Sequence, residues 1–293
     1  MMRGTPRIPF RQERKMAILV LDILTTAAIL FAVSAGLLII LGVMKLINFA
    51  HGAFLTVGGY MAYLNGAAGL SPWLSIPLAA GVGFLGGLVI ERVIVRPLYD
   101  RPLDAILATW GLGIVIGQLI TLGFGRGVQF APNPINGTTE LFGVDYSAYR
   151  LAVAVIAVLL VVALSALLKL TRFGLNARAV IMNERLARGL GIDSTRVRAL
   201  TFGLGAALAC AAGALITPLI SVDPNMGLPW LVNSFMLVMV AGVSFPGLLA
   251  ASLILGGAQV VVSTYASPIL GGMTIVVAAA LVLRISPKGF SRA

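Results

Sequence analysis

The sequence predicts an all-α, polytopic integral membrane protein of about eight transmembrane helices plus re-entrant or broken helices, and three observations predict it. Of its 293 residues 59% are hydrophobic and 11% charged, with a mean hydropathy of +1.02, against an apolar share of roughly 45–50% in ordinary soluble domains. Stretches suited to the about 20 apolar residues of a bilayer-crossing helix begin near Met16, Leu46, Trp73, Leu103, Ala148, Val197, Leu228, Leu248 and Pro268. They leave no room for a separate soluble domain. The Lys and Arg residues behind the net charge of +11 collect in a few short runs between these stretches, the pattern by which the positive-inside rule marks cytoplasmic loops. Basic residues placed in this way answer to the lipid bilayer, and no nucleic-acid partner is expected, since phosphate neutralisation needs them gathered on one surface.

Taken in order, residues 1–15 form a basic tail carrying Arg3, Arg7, Arg11, Arg14 and Lys15, expected in the cytoplasm, and residues 16–293 form the membrane domain. The opening "MMRGTPRIPFRQERK" is too polar for the apolar core of a signal peptide. The run Met16–Met44 that follows exceeds the roughly 7–15 residues of such a core, so the segment is expected to be retained. Arg92, Arg96 and Arg101 mark a second inner loop, six arginines from Arg172 to Arg198 a third, and Arg284, Lys288 and Arg292 an inner C-terminus. The stretch Phe124–Tyr149 holds only Arg126, and Ser221–Pro229 holds no basic residue. Those two face outward. This orientation closes from Leu103 onward if residues 230–285 cross three times, with breaks near "SFPG" (Ser244–Gly247) and "TYASP" (Thr264–Pro268).

The N-terminal third does not close so simply. Holding the tail and the Arg92 loop on one side requires an even number of crossings, yet three apolar stretches lie between them. The stretch expected not to span is "KLINFAHGAFLTVGGYMAYL", Lys45–Leu64, where Asn48, His51, Gly52, Gly58 and Gly59 weaken a lipid-facing helix. Polar or irregular backbone at membrane depth persists where it is buried in protein or lines an aqueous cavity. A broken or re-entrant helix near a pathway is therefore predicted over residues 45–64. The competing arrangement holds the tail outside despite its charge.

His51 is the single histidine. It has two readings, a hydrogen bond between helices or the lining of a pathway, because ionisable groups inside membranes are costly. With no second His or Cys it makes no metal site. Cys210 has no partner for an intramolecular disulfide and reads as a small buried hydrophobe. A second segment of the same format, "VAGVSFPGLLAASLILGGAQV" (Val240–Val260), adds Gly242, Pro246 and Gly247 as pathway-lining candidates. Broken helices in corresponding positions frequently mark substrate paths, and small-residue helix packing is the alternative. None of the four lysines follows a glycine, so no phosphate-binding loop is present. No "GxSxG" motif occurs either, and no cofactor, catalytic residue or enzymatic activity is expected. Energy has to come from another chain or from a gradient.

The segment "RFGLNARAVIMNERLARGLGIDSTRVRALTF" (Arg172–Phe202) lies in the most basic loop. Residues Asn176–Leu190 read as one short helix ending at Gly191. Ala179, Met182 and Leu186 recur along one face, with Arg178, Glu184, Arg185 and Arg188 on the rest. The stripe reads as a docking face for a groove on a partner, or else as part of a solvated surface helix.

Three stretches together resemble the permease subunits of branched-chain amino-acid ABC importers, a group that also takes in urea and short-chain amide importers. "INFAHGAFLTVGGYMAYL" resembles their first signature, "RAVIMNERLARGLGIDSTRVRALTFGLGAALACAAG" their cytoplasmic coupling loop and following helix, and "LRISPKGF" their ending. The resemblance spans roughly residues 17–290. It implies a multi-pass protein of the bacterial inner membrane that forms the translocation pathway. Implied partners are a second permease subunit, homologous or identical, two ATPase subunits and an extracytoplasmic solute-binding protein. ATP hydrolysis is implied in the ATPase subunits. Arg178, Asn183, Glu184, Ala187, Gly191 and Ile192 match the segment that meets the ATPase, within a coupling loop at about 171–198, and Asn48, His51 and Gly52 fall on the signature near the pathway. Three departures stand out. Ala53 replaces the acidic residue usual after His-Gly, Ala241-Gly242 replaces Gly-Gly, and Ile285 and Ser286 separate Arg284 from Pro287. Without that carboxylate a neutral solute such as urea becomes an alternative to an amino acid. A solitary channel or carrier is the alternative of another class.

Overall fold

The computed structural model describes residues 9–287, Gly289 and Phe290. The chain runs through α1 (Pro9–Met44), α2 (His51–Ala67), α3 (Ser75–Ile90), α4 (Pro102–Phe124), β1 (Thr138–Leu141), β2 (Val144–Ser147), α5 (Ala148–Leu170), α6 (Arg172–Met182), α7 (Glu184–Gly189), α8 (Ser194–Ile220), α9 (Gly227–Ala241), α10 (Phe245–Tyr265) and α11 (Pro268–Ile285). A 3-10 turn over Pro72–Leu74 precedes α3, and a π turn, Glu91–Val95, and a 3-10 turn, Arg96–Leu98, extend it. Among the described residues seven helices are long and apolar enough to cross a membrane: α1, α3 with its extensions, α4, α5, α8, α10 and α11. α2 and α9, of 17 and 15 residues, fall short of the about 20 that a crossing needs.

Local chemistry sets the boundaries. Side-chain oxygens of Ser147, Thr171, Asn183, Asp193, Ser244 and Ser267 accept hydrogen bonds from backbone N–H groups in the first turns of α5, α6, α7, α8, α10 and α11, which supplies partners for otherwise unpaired donors. Prolines open α4, α10 and α11, where the missing N–H costs nothing. The breaks between α9 and α10 and between α10 and α11 fall at the "SFPG" and "TYASP" segments. The hairpin β1–β2 had no counterpart in the hydropathy pattern. Its two-residue turn, Phe142 and Gly143 at φ +52° and +71°, has the doubly left-handed form that suits a tight hairpin.

The bundle is organised around α8, which packs α1, α2 and α3 through small residues. A Cβ on Gly58 of α2 would lie 1.9 Å from the Cys210 carbonyl oxygen, and one on Gly213 2.0 Å from that of Leu55. Backbones approach this closely only where side chains are absent. The Cys210 thiol is buried and donates to the Phe54 carbonyl at 3.0 Å. A second core joins α1 to α9, α10 and α11 through Leu30, Leu37, Leu237, Leu248, Leu255 and Ile275.

Two contacts fix the direction of α1. Near its start, Asp22 accepts from Arg150 Nη1 at 2.6 Å and from the Tyr146 hydroxyl at 2.8 Å, beside the hairpin and the first turn of α5. Burial holds the Tyr146 phenol above its ordinary value. Near the other end of α1, Val43 packs with Ala177 and Val180 of α6, Ala187 of α7 and Val197 of α8. The start of α1 therefore lies at the end of the bundle opposite α6 and α7. This corrects the expectation that tail and Arg172–Arg198 loop share one side. Residues 1–8 of the tail lie outside the described residues, and residues 9–15 are the first turns of α1. The charge bias is overridden because the chain passes between the two ends three times before α4: along α1, back along residues 45–67 with α2 covering part of the way, and along α3.

Candidate functional site

The chain breaks between α1 and α2, but inside the bundle. Lys45 takes φ +52°, and the segment then turns back beside α1. Asn48 Oδ1 accepts from Ala50 N at 3.1 Å, and Phe49 N donates to Thr109 Oγ1 of α4 at 3.3 Å. These bonds satisfy backbone that no helix ladder reaches. His51 Nε2 is 2.8 Å from the Val33 carbonyl, and since a carbonyl only accepts, the ring donates through Nε2. Val33 sits midway between Asp22 and Val43 on α1, so α2 begins at mid-depth and runs toward the hairpin end.

α9 begins at the same depth and runs the other way. A Cβ on Gly227 would lie 1.8 Å from the Gly52 carbonyl oxygen. Thr56 Oγ1 bridges the pair, donating to the Gly52 carbonyl at 3.2 Å and accepting from Gly227 N at 3.1 Å. The two short helices thus meet start to start, with the positive ends of both dipoles at mid-depth.

A cavity of about 260 Å³ opens beside this junction, between α2, α4 and α9. Phe49, Trp110, Ile114, Leu228 and Leu231 give it apolar walls, and Thr56, Gln118 and Asn225 contribute neutral polar groups. Phe49 and Trp110 meet edge to face at 5.3 Å between ring centroids. Ala53 lies on the wall, at the position where the resemblance led one to look for a carboxylate, and none of the lining residues is charged.

Of the pathway candidates read from sequence, the structure brings Gly52 to this cavity. Asn48, His51, Gly58 and Gly59 are buried within helix contacts. His51 faces α1 and α8, its Cε1 3.3 Å from a Cβ built on Gly36, while Gly59 faces Thr217, Val222 and Met226. Gly242, Pro246 and Gly247 lie at the turn between α9 and α10. That turn is at the α6 end, because Val243 and Phe245 share an apolar cleft with Phe173, Ala177 and Ile181. Trp110, Gln118 and Asn225 were missed. Gln118, an amide inside the otherwise apolar run that became α4, was the available signal.

The Arg172–Arg198 segment folds as two helices, which corrects the single helix expected over Asn176–Leu190. Asn183 leaves the helical region at φ −159°, ψ +100°, and its side chain accepts from Leu186 N at 3.0 Å. It ends α6 and caps α7, as asparagine at this position favours. The face turned to the bundle is Gly174, Ala177, Val180 and Ala187. Met182 and Leu186 are 87% and 62% exposed, beside exposed Arg178, Asn183 and Gly191, with Ala179, Glu184 and Ile192 half-buried. Gly191 adopts φ +83°, a conformation that favours glycine.

A polar chain leads from this surface into the bundle. Glu184 accepts from Arg188 Nη2 at 2.7 Å and from Arg198, and Arg188 Nε donates to Ser194 Oγ at 2.6 Å. The Arg198 guanidinium lies over the Tyr99 ring, 4.4 Å from its centroid. The Tyr99 hydroxyl donates to Glu91, whose side chain is buried. Burial first, and the bond to Glu91 second, hold the Tyr99 phenol well above its ordinary value.

A bundle of apolar helices whose two short members begin at mid-depth beside a cavity has the architecture of a membrane transport protein. The chain belongs to the family described as "Branched-chain amino acid transport system / permease component", whose model matches residues 19–285. It is similar to LivH of Escherichia coli (strain K12), a high-affinity branched-chain amino acid transport system permease protein, with 29% identity over 88% of this chain and 89% of that one. It is similar also to LivM, a permease protein of such a system in Salmonella typhimurium, with 26% identity over 87% of this chain and 67% of that one. In fold it is similar to a metal-chelate type ABC transporter solved in an inward-facing conformation, at a TM-score of 0.53 and 17% identity, over 96% of this chain and 91% of that one. The chain is therefore a multi-pass inner-membrane permease subunit of an ABC importer, and its helices form the translocation pathway.

Proposed function

We propose that this permease passes a branched-chain or related aliphatic amino acid through the cavity beside the α2–α9 junction. The observation that carries the reading is the cavity's chemistry. Its apolar walls suit an aliphatic side chain, and Gln118 and Asn225 offer neutral hydrogen-bonding groups to a zwitterion. The starts of α2 and α9 present positive dipole ends, which favour a carboxylate. Similarity to LivH and LivM supports the same solute class. Ala53 on the wall favours one second reading, a neutral solute such as urea or a short-chain amide, because no acidic group there receives an ammonium.

In this proposal the α6/α7 end is cytoplasmic and meets two ATPase subunits, which hydrolyse the ATP. A second permease subunit, homologous or identical, completes the pathway, and a solute-binding protein delivers from the hairpin end. Exposed Met182 and Leu186, with Arg178 and Arg185 around them, form the docking surface. The candidates Asn48, His51, Gly58 and Gly59 support the cavity from behind, and Gly242, Pro246 and Gly247 form a turn that the docking helices adjoin.

The test is uptake into liposomes holding the whole transporter with its binding protein and internal ATP. Labelled leucine accumulates and labelled urea does not; the reverse result replaces the amino-acid reading by the urea one. Accumulation by this chain alone, without ATP, would show a solitary carrier or channel and overturn the importer assignment of the partners.

A further inference from the structure

We propose that Tyr99 is a positioning residue that transmits movement of the docking helix α7 to α4, the helix bearing Trp110, Ile114 and Gln118 on the cavity wall. The inference rests on the reading of α6 and α7 as the ATPase-docking surface. The contacts form a continuous chain from α7 to the start of α4. Glu184 on α7 holds Arg198 on α8. Arg198 covers the ring of Tyr99, in the turn between α3 and α4, and the hydroxyl of Tyr99 is bound to Glu91.

Two features make this more than a clasp. Glu91 is 1% exposed, and a buried carboxylate is costly unless it is hydrogen-bonded. An apolar residue there would hold the turn at least as well, since replacing buried ionic groups by packed apolar ones is commonly neutral or stabilising. The acid also sits at the first residue of the π turn Glu91–Val95. Such turns carry an extra residue within a helix and cluster at functional sites. A shift between π and α register moves everything beyond it, here the Arg96–Leu98 turn, Tyr99 and the first residues of α4. Such an element with two arrangements is what coupling between distant sites requires. When α7 moves, Arg198 carries the Tyr99 ring with it, and the Tyr99 hydroxyl pulls on the π turn.

The experiment uses the complete transporter with its ATPase subunits in proteoliposomes and a thiol-reactive probe of the cavity wall. Ile114 is exposed and Cys210 is buried, so an Ile114→Cys protein reports on α4 without removing the native thiol. Its labelling rate is expected to change on addition of ATP. In the Tyr99→Leu background, which removes both the ring and the hydroxyl, that change is expected to shrink by about fivefold or more, the lower range of measured coupling between sites. Tyr99→Phe keeps the ring under Arg198 and should give an intermediate loss. Glu91→Gln still accepts from the Tyr99 hydroxyl and should retain most of the response, which assigns a loss in the Tyr99 variants to the ring and hydroxyl and not to the charge at residue 91. An ATP response of full size in both Tyr99 variants overturns the proposal and leaves the docking reading intact. No ATP response in the Ile114→Cys protein itself, with ATPase subunits bound and active, overturns transmission to α4, while the docking reading is decided separately by co-purification of the Met182→Asp and Leu186→Asp proteins. If Tyr99→Leu fails to assemble, the Tyr99→Phe and Glu91→Gln pair decides.

Discussion

A methyl group at Gly58 would press on the Cys210 carbonyl oxygen, at 1.9 Å, with nothing able to give way but the backbone of α8. Overpacking of this kind costs about 1–3 kcal/mol, so Gly58→Ala should lower the melting temperature of the purified protein. Gly111 on α4 has nothing within 4 Å of a built Cβ, and Gly111→Ala should leave stability unchanged or raise it by up to about 1 kcal/mol through helix propensity. His51→Leu removes the bond to the Val33 carbonyl and should cost about 1 kcal/mol. It should appear as reduced thermal stability, with solute preference unaltered, because the ring points away from the cavity. Asn48, His51, Gly52, Gly58 and Gly59 stood out in the sequence as one unlipid-like group, and they do mark where the chain breaks. Their separation into a cavity residue, Gly52, and packing residues was not legible. Close helix contact and pathway lining both select glycine, and which face each occupies depends on α8 and α9, which begin at Ser194 and Gly227, far along the chain.

At the level of elements, α6 and α7 show how a single residue decides a surface. Asn183 ends one helix and starts the next, so Met182 and Leu186 project outward in place of joining the buried row of Ala177, Val180 and Ala187. Met182→Asp and Leu186→Asp should therefore leave folding intact, since both sites are exposed, while abolishing co-purification with the ATPase subunits. Unchanged assembly and uptake would remove the docking surface from the mechanism. Asn183→Ala, by deleting the cap of α7, should cost about 1 kcal/mol. The residues of this segment were legible from their periodicity, but the break was not. Asparagine is a tolerable helix residue by propensity, and only its hydrogen bond to Leu186 N makes it a boundary.

For the whole molecule, the direction of α1 fixes the side of everything else. Cysteines placed at Lys15 and at Thr139 should react with a membrane-impermeant thiol reagent added to the same side of intact cells, and one at Arg185 only after the opposite side is opened. Matching reactivity of Lys15 and Arg185 positions would contradict the ion pair of Asp22 with Arg150 as the anchor of α1. Each of the nine apolar stretches read from hydropathy became a long or short helix among the described residues, because burial in lipid imposes a length requirement visible in composition alone. The sidedness of the first was misread because a charge bias is a preference, whereas the Asp22, Tyr146 and Arg150 cluster is a tertiary fact between residues far apart in the chain. The hairpin over Thr138–Ser147 was hidden for the opposite reason, since a four-residue strand leaves no signature in a helix-length window.

The meeting of Gly52 with Gly227 has a consequence for leakage. Because α2 and α9 each cover only part of the membrane's depth, the proposed route would rely for insulation against stray ions on the short septum where their first turns touch. A bulkier side chain at Gly227 should part that septum, and cells carrying Gly227→Val should lose ion gradients across the membrane while the remainder of the bundle stays folded.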